Sequence, residues 1–212
     1  MTQNIFIKGN TFILHPSGAI FWKEKNMLLI ADVHLGKVAH FRKAGFAVPP
    51  DSIAANFKQL NNVINFFQPD SICFLGDLFH SEINNEWEIF AEWTRHVSLS
   101  IVLVAGNHDI ILPQKYRSIN IPVIKEWNTD GFLLTHHPEI RDGLFNFSGH
   151  IHPGIRLRGK GRQWLKLPCF FKKENQLILP AFGDFTGTYL LVPTDNDCVY
   201  AVTKDEVILI CD

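Results

Sequence analysis

The sequence predicts an α/β fold in which two β-sheets pack on one another, with helices on the flanks. Three observations predict it. Apolar runs alternate with stretches of helical periodicity through the first half of the chain. Each of those runs is apolar throughout, as in a strand buried on both faces. The second half offers short β-prone runs separated by turn residues and no clear helix, which predicts a second, mostly antiparallel sheet packed on the first.

The elements follow in order. Thr11 to Leu14 and Ala19 to Trp22 flank His15-Pro16-Ser17-Gly18 and read as a hairpin. Met27 to Ala31 is a buried strand that ends at Asp32. A helix follows Pro49-Pro50, with Asp51 as its cap; Ile53, Phe57, Leu60, Ile64 and Phe67 fall on one face, and Pro69 ends it. Ser71 to Leu75 is a second buried strand, ending at Gly76-Asp77. Asn85 caps a second helix whose inner face is Trp87, Phe90, Ala91 and Thr94. Ser100 to Ala105 is a third strand, ending at Gly106-Asn107. Strands then run over Phe132 to Thr135, Phe145 to Ser148, Gln176 to Leu179, Tyr189 to Val192, Val199 to Val202 and Val207 to Ile210.

Without repeats or a long Pro/Gly/Ser linker, residues 1–212 read as one domain. The apolar fraction of 46% and charged fraction of 19% are ordinary for a folded protein. A net charge of -1 gives no general pull toward nucleic acid or membrane, so any such bias is local. Cys73, Cys169, Cys198 and Cys211 form no CxxC pair and no disulfide framework, which points to a reducing compartment. The N-terminal MTQNIFIKGN lacks the pattern of a signal peptide, and no apolar run is long enough for a membrane span. The expected location is the cytoplasm, with no membrane partner.

Five blocks carry chemistry: Asp32-Val33-His34, Gly76-Asp77, Gly106-Asn107-His108-Asp109, His136-His137 and Gly149-His150-Ile151-His152. Their oxygen and imidazole donors suit manganese, iron, magnesium or zinc, and the absence of thiolate argues against a structural zinc site. Residues i and i+2 of a strand share a face, so Asp32/His34 and His150/His152 can each present two ligands side by side. The glycines before Asp77, Asn107 and His150 permit tight turns. A carboxylate can bridge two ions, and Asp77, in the middle of the series, is the candidate. Two ions about 3.5–4 Å apart can clamp a phosphoryl group and acidify a water.

The order DxH, GD, GNHD, H, GHxH resembles the calcineurin-like metallophosphoesterase superfamily. The resemblance implies a four-layer α/β sandwich of two packed mixed sheets flanked by helices. It also implies that Asp32, His34 and His152 hold one ion, that Asn107, His136 and His150 hold the other, and that Asp77 bridges. His136 is preferred to His137 because it is nearer the end of the FLLT run, whereas His137 precedes Pro138. His108 is implied to be no ligand but a catalytic group that holds the phosphate and protonates the leaving oxygen, which imidazole can do near neutral pH. Asp109 orients the turn or His108.

A closer resemblance rests on ADVHLGKVAHFRKAGFAVPP, LGDLFHS, THHP, SGHIHPG, LPCF and PAFGDFTG. Together these are similar to the bacterial DNA-ligase-associated metallophosphoesterase (PdeM) family. The tail differs in carrying Thr188 where a second glycine is expected. This resemblance implies a manganese-dependent phosphodiesterase or endonuclease of DNA repair, with DNA as substrate and a DNA ligase and helicase as functional associates. Substrate-binding candidates are Lys37, Arg42 and His80, with Lys43 beside them; the three cations read equally as an exposed helix face, and a solvated loop position is the plainer reading of His80. Arg156, Arg158, Lys160, Arg162, Lys166, Lys172 and Lys173, interleaved with Trp164, Phe170 and Phe171, suit a single strand, or else a hairpin edge whose cations discourage strand pairing. Phe182, Gly183, Phe185 and Gly187 form a loop over the cleft or a buried aromatic turn. Other readings are hydrolysis of small nucleotides or a lipid-linked pyrophosphate, and a non-catalytic scaffold.

Overall fold

A computed structural model describes residues 1–37, 52–80, 83–159, 161, 163–183 and 186–210. The first sheet has seven strands in sequential order: β1 (Gln3–Ile7), β2 (Asn10–Leu14), β3 (Ile20–Trp22), β4 (Met27–Ile30), β5 (Ser71–Leu75), β6 (Ser100–Val104) and β7 (Val123–Ile124). β1 to β4 pair antiparallel and β4 to β7 parallel. The helices are α1 (Ser52–Phe67), α2 (Asn85–His96) and a short α3 (Pro113–Arg117). Asp51, and the side chain of Ile53, lie outside the described residues.

The apolar strands have two apolar neighbours each. Leu28, Ile30, Ile72, Phe74, Ile101 and Leu103 pack with Phe57, Leu60 and Val63 of α1 and Trp87, Phe90 and Trp93 of α2. The alternate residues Leu29, Cys73, Leu75 and Val104 face the second sheet. Period-two alternation therefore buries both faces, which is why these runs read as continuous.

The second sheet contains β8 (Trp127–Thr129), β9 (Phe132–Leu134), β10 (Phe145–Ser148), β11 (Pro153–Arg158), β12 (Trp164–Lys172), β13 (Gln176–Ile178), β14 (Tyr189–Leu190), β15 (Cys198–Val202) and β16 (Val207–Ile210). It is more mixed than expected, because β10 runs parallel to both β9 and β13. Where the sheets meet, Phe12 lies 5.3 Å from Phe132, 4.6 Å from Phe147 and 5.2 Å from Trp22. The outer face of the second sheet closes on Ile155, Cys169, Phe171, Ile178, Val199 and Ala201. Among the described residues no helix covers that face; the helices stand against the first sheet.

Some elements depart from expectation. The helix cap is Asn84, not Asn85: its side chain accepts from the Glu86 N–H at 2.8 Å. β1, β7, β8 and α3 were not anticipated. The Arg- and Lys-rich stretch forms a hairpin, β11 paired with β12, as one of its two readings held. No helix among the described residues is long and apolar enough to cross a membrane.

Candidate metal centre

Parallel register sets the site. Leu75 pairs with Val104 and Ile30 with Phe74, so the chain leaves β4, β5 and β6 at one edge. In the second sheet Phe147 pairs with Leu134, so the exits from β9 and β10 also coincide. Asp32, His34, Asp77, Asn107, His136, His150 and His152 all follow these exits, and the structure brings all seven together.

They do not sit in strands. β4 stops at Ile30 and β10 at Ser148, and Asp32, His34, Asp77, His150 and His152 adopt φ of 56°, 52°, 50°, 68° and 50°. Left-handed backbone is costly for such residues, and clusters of it mark functional sites. The strand alternation expected for the two i, i+2 pairs is thus replaced by curled loops. These loops bond one another: Asp32 N–H donates to the Gly76 carbonyl at 3.2 Å and His34 N–H to that of Asp77 at 2.9 Å. The glycines matter mainly for close approach. A Cβ on Gly76 would overlap the His136 ring, one on Gly106 the Asp77 carboxylate, and one on Gly149 the Asp32 carboxylate. Of the three, only Gly76 has positive φ.

Two donor groups converge. In the first, His34 Nε2 is 3.4 Å from His152 Nε2, which is 3.3 Å from Asp32 Oδ1. In the second, His136 Nε2 is 3.0 Å from Asn107 Oδ1 and 3.2 Å from His150 Nδ1. Asp77 spans them, with Oδ1 3.4 Å from His136 Nε2 and Oδ2 3.9 Å from His34 Nε2. Supporting bonds aim the donors. His136 Nδ1–H donates to the Leu75 carbonyl at 2.9 Å, which leaves Nε2 as the nitrogen that can ligate. Asp32 Oδ2 accepts from His150 N–H, leaving Oδ1 buried without a hydrogen bond. Lone pairs aimed at one another around a buried, unbonded carboxylate oxygen fit a pair of divalent cations.

The electrostatics agree. Burial, together with Lys37, His152, His80 and His108, pushes His34 down to about 2, so its ring is neutral and free to ligate. Burial lowers Lys37, against an opposing pull from Asp32 and Asp77, which places its amine in the field of the site. Arg42 and Lys43 lie outside the described residues.

His108 sits beside the donors, its ring 5.7 Å from His34 and stacked 4.5 Å from His80. Its N–H donates to Asp77 Oδ1 at 2.9 Å. Asp109 accepts from the N–H groups of Phe79 and Gly106 at 3.0 and 2.8 Å, tying the turn to the β5 exit; burial raises it to about 6. His137 is exposed, with its ring 4.0 Å from that of His150, and it joins His136 and His150 in one possible cation-holding group. Two supporting residues escaped the sequence reading. Glu86 is buried and accepts from Gly36 N–H at 2.6 Å. Asn146 donates to Thr135 Oγ1 at 2.7 Å and accepts from Glu139 N–H, fixing the chain on both sides of His136. For Asn146 the available signal was a polar residue inside an apolar strand. Gly183 packs where a Cβ would overlap the Val33 carbonyl, and Phe182 is buried; Phe185 lies outside the described residues.

The model of the calcineurin-like phosphoesterase family matches residues 25–178. No curated protein matches the chain. Among solved structures, the nuclease MPE of Pseudomonas putida is similar at 28% identity and a TM-score of 0.82, over 99% of this chain and 100% of that one. A protein of unknown function from Aquifex aeolicus is similar at 21% identity over 53% of this chain and 60% of its own, with a TM-score of 0.36. With the family model spanning every donor block, the chain belongs to the calcineurin-like phosphoesterases, metal-dependent hydrolases of phosphoesters with a dinuclear divalent metal centre.

Proposed function

We propose that the chain, acting as a single domain, is a phosphodiesterase and nuclease that hydrolyses DNA by direct attack of water. The observation that carries this is the pair of donor groups joined by Asp77, on a fold similar over its whole length to a nuclease. Asp32, His34 and His152 would hold one cation and Asn107, His136 and His150 the other, with Asp77 placed to serve both groups. When bound, the cations supply charge neutralisation of the phosphate and acidify the attacking water. Manganese is the metal that the closer family resemblance implies. His108 holds a phosphate oxygen and gives its proton to the leaving oxygen. Lys37 and His80 contact the phosphate, as Arg42 does in the sequence reading. None of the five donor blocks contains a Ser or Cys to act as nucleophile. The same resemblance supports a role in DNA repair beside a ligase and a helicase.

The test is one preparation assayed with manganese on bis-p-nitrophenyl phosphate, single-stranded DNA and a nucleotide panel. Cleavage of the first two is expected, with about two equivalents of metal bound. Asp77→Asn should lose most activity. Turnover confined to mononucleotides would replace the nuclease reading with small-nucleotide hydrolysis. Stoichiometry near zero in intact protein would remove the metal assignment.

A further inference from the structure

β11 begins at Pro153, directly after His152, and returns as β12. The register pairs Gly154 with Pro168, Arg156 with Lys166 and Arg158 with Trp164. Directly opposed residues share a face, so Arg156, Arg158, Trp164 and Lys166 stand together. The other face carries Ile155, Leu157 and Leu167, packed into the apolar cluster beneath. Two aromatics of the same stretch are spent on packing: Phe170 and Phe171 are 0% and 2% exposed, which removes them as stacking groups. Trp164 is 54% exposed. The Arg156 guanidinium lies 4.6 Å and that of Arg158 6.0 Å from its ring centre. Lys160 and Arg162 lie outside the described residues.

These cations differ from others on the surface. Arg141 is held by Glu126 and Glu139, Lys25 by Asp130, and Arg95 by Glu92. Among the described residues no carboxylate pairs with Arg156, Arg158 or Lys166. One end of the row lies beside the chemistry: Pro168, next in the same row, lines a cleft together with His152, Phe182 and Thr188, while Arg156, Arg158 and Trp164 line a separate cleft with Asp195 and Asp197. Six residues of strand carry the row roughly 20 Å from His152 to Arg158.

We propose that the β11–β12 hairpin is a ledge that holds a single nucleic-acid strand leaving the metal centre, with Trp164 stacking a base and Arg156, Arg158 and Lys166 gripping phosphates. An unpaired strand fits because its bases are free to stack on an exposed indole, and the row is one side chain wide. This rests on the nuclease reading and adds to it a place several nucleotides from the cut.

The experiment compares kcat/KM, with manganese, for a thymidine dinucleotide and an oligothymidylate of about twenty nucleotides, a length beyond a typical single-strand site. Trp164→Ala should lose about ten-fold on the long substrate, the scale of one stacked base. Arg156→Ala/Arg158→Ala should flatten the log–log salt dependence by about 1.4, from two lost phosphate contacts. Both variants should keep the wild-type thermal midpoint and the wild-type rate on bis-p-nitrophenyl phosphate, which is too small to reach the ledge. Unchanged long-substrate kinetics in variants of a protein that does cleave DNA would overturn the ledge alone. An equal loss on duplex DNA would overturn the single-strand assignment. Wild-type protein that hydrolyses bis-p-nitrophenyl phosphate but no DNA would overturn the nuclease reading, and the ledge with it.

Discussion

His108 is the side chain whose chemistry separates most cleanly from that of its neighbours. The backbone N–H of His108 is spent on Asp77, while its ring stacks on His80 and belongs to neither donor group. His108→Ala should therefore keep both metals and lose roughly 10²–10⁴-fold in rate, the range of a positioned acid. The loss should be greatest on DNA and least on nitrophenyl esters, whose leaving oxygen needs no proton; equal losses would leave His108 only an electrostatic role. At this scale the sequence was highly informative, since the residue types and order of all seven donors lie in five short blocks. What it hid was the reason for the glycines. Close approach of Gly106 and Gly149 to carboxylates from other loops is a fact of tertiary packing, and no local pattern records it.

The elements were legible where hydrophobic period and burial coincide, as in β4, β5 and β6. They were less legible where strands carry charge. β12 spans nine residues, yet its outer half alternates Trp164 and Lys166 with Leu165 and Leu167, and pairing with β11 is what holds that half as a strand. Helix α2 shows how one residue decides a boundary. Asn84 and Asn85 are both fit to cap, and only Asn84 has extended backbone, with φ of -142°. Asn84→Ala should cost about 1 kcal/mol, while Asn85→Ala should cost a few tenths or less. Urea unfolding of the two variants would tell them apart, and equal losses would contradict the cap.

At the scale of the whole molecule, one apolar layer joins the sheets and another joins the first sheet to its helices. The first sheet could be foreseen from runs such as SICFL and SIVLV and the second from short runs such as FNFS and VYAV, whereas the mixed order of the second sheet depends on long-range pairing of short strands that look alike locally. His15 reports on how firmly the first layers are joined. It lies in the β2–β3 turn with its ring 5.1 Å from Phe66 and 5.5 Å from Phe67 of α1, and its Nδ1 accepts from Ser17 N–H. Burial, helped by the terminal amine, lowers it to about 4 from 6.5. The unfolded chain therefore binds this proton first as pH falls. Stability from His15 is complete above pH 6.5, drains between 6.5 and about 4, and is constant below. His15→Asn keeps an acceptor for Ser17 and should narrow the stability gap between pH 7 and pH 5, read by urea unfolding. An unchanged gap would place the acid sensitivity elsewhere.

The left-handed backbone of Asp32, His34, Asp77, His150 and His152 changes how deletions at this centre must be read. In ordinary backbone, alanine is the neutral truncation and glycine the damaging one. At these five positions the ranking inverts, because the methyl group of alanine still clashes and glycine does not. His152, with φ of 50° and a side chain 20% exposed, is the clearest place to observe it. In chelator, His152→Gly should melt above His152→Ala, although both lack the imidazole. An alanine scan would thus charge backbone discomfort to the lost ligand and overstate what each donor contributes to stability. Glycine scanning is the more faithful deletion here, and a glycine variant more stable than the parent but unable to retain metal would show how far the loops have been bent away from their own preference to hold the ions.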